Sequence, residues 1–109
     1  MVKTQQNGKK IEVPIKEGEM FLLPPKIPHS PIRPEGSVGL VIERKRDKTQ
    51  KDGLMWISEK KNVLLYEEYF HLTNIEKDFL PVFKKFYQSE KLRTCPISGE
   101  IMEADERYI

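Results

Sequence analysis

This chain of 109 residues contains one cysteine, two histidines and one tryptophan, and the scarcity of cysteine excludes a class of site. Cys95 alone can form neither an internal disulfide nor a cysteine-based zinc site within the chain, which fits a reducing compartment. No apolar stretch approaches the ~18 residues of a membrane span. The opening "MVKTQQNGKK" also lacks the apolar centre of a signal peptide. The chain is therefore expected to be soluble and cytoplasmic, with no membrane partner. An excess of one charge is missing as well: 19 Lys and Arg face 17 Asp and Glu, and the net +2 gives no footprint for nucleic acid. Partners must be read from a site.

The length sets a ceiling of one domain, which buries about two-thirds of its unfolded surface. Within it two parts are distinguishable, residues 1–46 and 47–109. From Lys3 to Arg44 the pattern is short alternating or apolar runs, "KIEVPI", "EMFLLP" and "SVGLVIER", broken by Asn-Gly, Pro and Gly, and it predicts antiparallel strands. Asn7-Gly8 is the strongest hairpin signal, since both residues tolerate the positive φ of a type I′ turn. The strand leading into it, "VKTQQ", is short and polar.

A polar connector, "DKTQKDG", precedes two further predicted strands, "LMWIS" and "VLLYEEYF". In "TNIEKDFLPVFKKFYQSEK", Thr73 and Glu76 have capping-box spacing, and Ile75, Phe79, Val82, Phe83 and Phe86 share one helical face. An amphipathic helix is expected, with Pro81 moving its regular start to near Leu80. The tail "RTCPISGEIMEADERYI" has turn chemistry without a period, and no repeat is visible.

The most unusual stretch is "EGEMFLLPPKIPHSPIRP". Pro28 and Pro31 restrict the backbone on both sides of His29, which gives a stiff mount suited to a ligand. Taken alone, the same residue reads more readily as a structural histidine in a proline-rich turn, since histidines outnumber metal sites. If His29 to Arg33 is extended, the two side chains point to one face, where a cation beside a metal suits an anionic substrate. In "SVGLVIE", Gly39, Val41 and Glu43 share a face on which a glycine leaves room for a ligand and a carboxylate supplies an acceptor. Glu43 also fits the start of a solvated charged run, "ERKRDK".

Taken together, "EGEMFLLPPKIPHSPIRPEGSVGLVIERKR", "DGLMWI" and "FLPVFKKFYQSEKLRTCP" resemble the 3-hydroxyanthranilate 3,4-dioxygenase family from about Ile11 to Pro96. The resemblance implies a mainly β fold: part of a cupin (double-stranded β-helix, jelly-roll) barrel with a C-terminal amphipathic helix. It implies Fe(II) as cofactor, held by two histidines and a glutamate, and 3-hydroxyanthranilate and O2 as partners. Oxygen would add across the C3–C4 bond to give 2-amino-3-carboxymuconate semialdehyde, on the route from tryptophan through kynurenine to quinolinate and NAD. His29 matches one iron ligand, Arg33 an arginine on the substrate carboxylate, and Glu43 a catalytic glutamate against the amino and hydroxyl end.

The departures are equally specific. The family's other ligands lie in a His-x5-Glu pattern that this chain lacks, as it lacks a second substrate arginine. His71, in "EYFHLTN", resembles no ligand and reads as a surface residue just before the helix. "WISEKK" and "CPIS" stand where bacterial members carry two Cys-x-x-Cys pairs, so only Cys95 remains, with Ser98 in its partner's place, and no structural metal is expected. Trp56, Leu65, Tyr69, Phe83 and Phe86 would hold that region by packing. Truncation, inactivity of the chain alone, and either self-association or a missing N-terminal barrel segment follow as expectations. The alternative is a small non-catalytic cupin-like module that binds an aromatic carboxylate. Should the chain hold iron by itself, His71 with Glu67 or Glu68 would be the first place to look.

Overall fold

A computed structural model describes all 109 residues, which divide into two units, Met1–Glu43 and Arg44–Ile109. The fold is mainly β, with two small antiparallel sheets and a helix towards the C-terminus.

In the first unit, β1 (Val2–Gln6) and β2 (Lys9–Val13) form a hairpin whose register runs from Val2↔Val13 to Gln6↔Lys9. Asn7 and Gly8 have φ of 53° and 74°, the two positive values a type I′ turn needs. A third strand, β3 (His29–Pro31), pairs with the other edge of β1, so β1 is central. Thr4, in the middle of β1, is 1% exposed, and its hydroxyl donates to the Ile11 carbonyl at 3.1 Å.

Two of the expected strands do not form: "EMFLLP" and "SVGLVIER" carry no ladder. The reason is the lack of a neighbour. A strand persists only where another strand takes its N–H and C=O groups, and no segment of the chain pairs with these two. Their side chains stand in solvent, Val38 99% exposed and Leu40 and Ile42 each 87%. The first unit thus has a sheet whose only buried residue is a threonine.

The second unit has the core. Strands β4 (Asp52–Ser58) and β5 (Val63–Phe70) pair from Asp52↔Phe70 to Ser58↔Val63, with a register shift at Trp56/Ile57. Trp56 faces Tyr66 and Ile57 faces Leu64, so Leu65 is the extra residue of a bulge. Alternation is broken there, and the consecutive residues Leu65 and Tyr66 both pack on the core of Trp56, Val82 and Phe86. Tyr69, expected inside, is instead exposed on the outer face. Its ring lies over Gly53, where an added Cβ would meet it at 2.5 Å.

Helix α1 spans Ile75–Tyr87, so its regular part begins before Leu80 and runs through Pro81. Its cap is Asn74 rather than Thr73: Asn74 Oδ1 accepts from the Lys77 amide at 2.9 Å. Asp78 takes the amides of Thr73 and Asn74, at 2.8 and 2.9 Å. With the N-terminal donors satisfied, Pro81 costs one bond, to the Lys77 carbonyl, while Val82, Phe83 and Phe86 hold the helix on the sheet. Helix α2 (Glu90–Arg93), a turn at 96–98 and a short 3₁₀ helix (Glu106–Tyr108) complete the chain. No helix is long and apolar enough to cross a membrane.

Candidate functional site

His29 opens β3 opposite Thr4, and the Pro28 carbonyl before it accepts from the Gln5 amide at 3.0 Å. The backbone is therefore fixed by pairing as well as by proline. The ring is exposed, and its Nδ1 lies 3.0 Å from the Ile27 carbonyl oxygen. A carbonyl can only accept, so a hydrogen bond there puts a proton on Nδ1 and leaves Nε2 as the nitrogen not engaged by Ile27. A backbone carbonyl on one nitrogen is the device that fixes the tautomer of a metal-ligating imidazole.

Arg33 lies past the end of β3, beyond Ile32, whose amide donates to the Met1 carbonyl at 2.8 Å. The chain then reverses through Pro34–Ser37. The Ser37 amide and hydroxyl both donate to the Pro34 carbonyl, at 3.1 and 2.7 Å, and Gly36 supplies a φ of 80°. This reversal brings residue 39 back to residue 33. An atom placed at the Cβ position of Gly39 would lie 2.6 Å from Arg33 Nε and 3.0 Å from Cζ and Nη2. The space that Gly39 leaves is thus occupied by the guanidinium, which makes no hydrogen bond or ion pair of its own.

Glu43 closes the first unit outside any strand, so the expected alternating face of Gly39, Val41 and Glu43 is not formed. Nowhere do three His, Cys, Asp or Glu side chains converge as a metal would require. The residues present do not by themselves fit an iron centre.

The second unit adds a residue that the sequence reading missed, Ser58. Cys95 is 2% exposed, and its thiol is held below the usual thiol range, first by the Ser98 hydroxyl, then by the amides of Ser98 and Ile97, with the Ser58 hydroxyl also bonded to it. Ser58 is itself buried at the end of β4. The signal was a serine closing the apolar run Leu54–Ile57 of β4. Lys60, in the turn between β4 and β5, pairs with Glu100 at 3.1 Å. His71 is exposed, with Nδ1 3.0 Å from the Gln50 carbonyl, and it borders a surface hollow of about 450 Å³ lined by Lys45, Arg46, Leu72, Thr73 and Ile75. Glu68 is engaged by Lys85 at 2.7 Å and by the Tyr66 hydroxyl, and Glu67 by the Tyr69 hydroxyl at 2.9 Å. Neither glutamate forms a metal cluster with His71.

The 3-hydroxyanthranilic acid dioxygenase family model matches residues 1–87. A 3-hydroxyanthranilate 3,4-dioxygenase of Xanthomonas euvesicatoria is 53% identical over 108 residues, covering 99% of this chain and 61% of the relative. The enzyme of the same name from Ruegeria pomeroyi is 43% identical over 107 residues, covering 97% and 59%, and that of a Jannaschia species 48% over 96 residues, covering 87% and 53%. The chain belongs to the 3-hydroxyanthranilic acid dioxygenase family. It spans about three-fifths of the length of these relatives.

Proposed function

We propose that this chain contributes the second half of a cupin barrel to a 3-hydroxyanthranilate 3,4-dioxygenase, which opens the aromatic ring of its substrate with O2. His29 offers Nε2 as one of three ligands to Fe(II), and the other two donors come from outside these 109 residues. Because the three donors do not converge here, the chain's own chemistry is binding, orientation and proton transfer. Arg33 takes the substrate carboxylate in a charge-assisted pair, and the Glu43 carboxylate accepts the phenolic proton. The observation that supports this most is the exposed His29 ring, held through Nδ1 at the Ile27 carbonyl, in the segment that the family match covers.

The test combines this chain with the part of the Xanthomonas euvesicatoria relative that the match leaves uncovered. Metal content and ring-cleavage absorbance are followed with and without that part. Iron and turnover should require both pieces and should be lost in His29→Ala. Stoichiometric iron and turnover in the 109-residue chain alone would sink the assignment of His29 as one ligand of a divided site.

The uncommitted guanidinium of Arg33 and the lack of a three-donor cluster favour a second reading, a non-catalytic module for an aromatic carboxylate. Binding of 3-hydroxyanthranilate that is unchanged by a chelator, with no iron retained by the combined pieces, would select it.

A further inference from the structure

The guanidinium of Arg33 is exposed and makes no polar contact, and it lies where a Cβ of residue 39 would stand, over the α-carbon of Gly39. An arginine side chain in solvent normally samples many rotamers, and each must be given up when it grips a ligand. Here a bare α-carbon supplies a flat seat for the planar group. The Pro34–Ser37 reversal keeps that seat opposite residue 33.

We infer that Gly39 is a positioning residue for Arg33: the missing side chain sets where the guanidinium lies and so which carboxylate it can reach. The inference rests on the reading of Arg33 as the carboxylate group. It also explains a glycine in a run of β-branched and aliphatic residues that needs no unusual backbone, since the φ of Gly39 is not in the left-handed region. Alanine is therefore compatible with the main chain. The three atoms its methyl group would stand nearest all belong to the end of the Arg33 side chain, which can swing aside, so Gly39→Ala should fold normally and displace the guanidinium.

The experiment uses the 109-residue chain combined with the uncovered part of the Xanthomonas euvesicatoria relative, as wild type, Gly39→Ala, Arg33→Ala and the double variant. It measures the affinity of each for 3-hydroxyanthranilate and for 2-aminophenol, the same ring without the carboxylate, by titration calorimetry. It also measures the nuclear Overhauser contact between the Arg33 Nε proton and the α protons of residue 39. In wild type that contact should be present and the carboxylate compound preferred. Gly39→Ala should lose the contact and about tenfold in affinity for 3-hydroxyanthranilate, the lower end for a charged hydrogen bond. Its affinity for 2-aminophenol should not move, and it should add nothing in the Arg33→Ala background.

An equal loss with Arg33 absent would make Gly39 merely structural and overturn the inference, as would an unchanged contact in Gly39→Ala. If the contact behaves as expected but wild type does not prefer the carboxylate compound, the role of Arg33 falls, and with it the functional part of this inference. The seat itself would remain.

Discussion

Trp56 and Phe86 stack face to face, their ring centroids 4.3 Å apart and their planes 11° from parallel. Trp56 comes from β4 and Phe86, fully buried, from α1, so this contact joins sheet to helix. The Trp56 Nε1 donates to the Tyr87 hydroxyl at 3.2 Å, which satisfies its one polar group. Phe86→Ala should cost about 3–5 kcal/mol, the usual loss for a buried aromatic. Urea unfolding followed by the fluorescence of the single tryptophan reads it directly. A loss below ~1 kcal/mol would mean that the stack is not the link between the layers.

Glu68 sets an acid limit on the second unit. Its carboxyl is held below the usual range, first by Lys85 and then by the Tyr66 hydroxyl. A depressed folded-state value means that the stabilisation is fully present above the ordinary value of 4.5 and is lost as pH falls through the lower one. Glu68→Gln should flatten the acid limb of the stability curve and leave neutral stability slightly lower. The opposite end is set by Lys85, raised above 10.5 by Glu68 first, whose contribution is lost at strongly alkaline pH. Denaturant midpoints at stepped pH give the profile, and an acid limb identical in wild type and Glu68→Gln would refute the assignment.

The thiol of Cys95 should ionise below its ordinary value because four groups donate to it, Ser98 foremost. Removing the foremost donor in Ser98→Ala should shift the ionisation upward, as read by the ultraviolet absorbance of the thiolate against pH. Ser58→Ala should shift it in the same direction by less. Two variants with wild-type curves would show that the hydroxyls do not act on the sulfur.

Val38, Leu40 and Ile42 are nearly fully exposed in a run without proline or charge. Such a run has the composition that pairs with other chains. Concentration-dependent association is expected in light scattering coupled to size exclusion. Leu40→Lys should reduce it at least several-fold without changing the thermal midpoint, because no packing is removed. A monomeric wild-type chain at high concentration would contradict this.

The sequence was most legible where local chemistry decides the outcome. Asn7-Gly8 dictated a type I′ turn, and the spacing of Val82, Phe83 and Phe86 dictated an amphipathic helix whose face meets Trp56. It was least legible where a partner decides. The alternation in "SVGLVIE" is a strand pattern, but strands form by pairing, and the pairing partner is not a property of the segment. The bulge at Leu65 likewise moved Tyr66 inward and left Tyr69 outside, which a period-two reading cannot foresee. For the candidate site, the stiff mount of His29 followed from its prolines. The contact between Arg33 and Gly39 depended on a four-residue reversal whose reach no spacing rule gives.

β1 is the middle strand of its sheet, with β2 on one edge and β3 on the other. β2 and β3 make no ladder with each other, so neither retains sheet pairing if β1 leaves. Release of Val2–Gln6 therefore frees both edges at once: an opening of β1 should expose the β1-bonded amides of Lys9–Val13 and of His29–Ser30 to hydrogen exchange together. The rigidity of the His29 mount is accordingly a loan from a polar strand some two dozen residues earlier in the chain, and tightening that strand is the way to stiffen the imidazole without touching it.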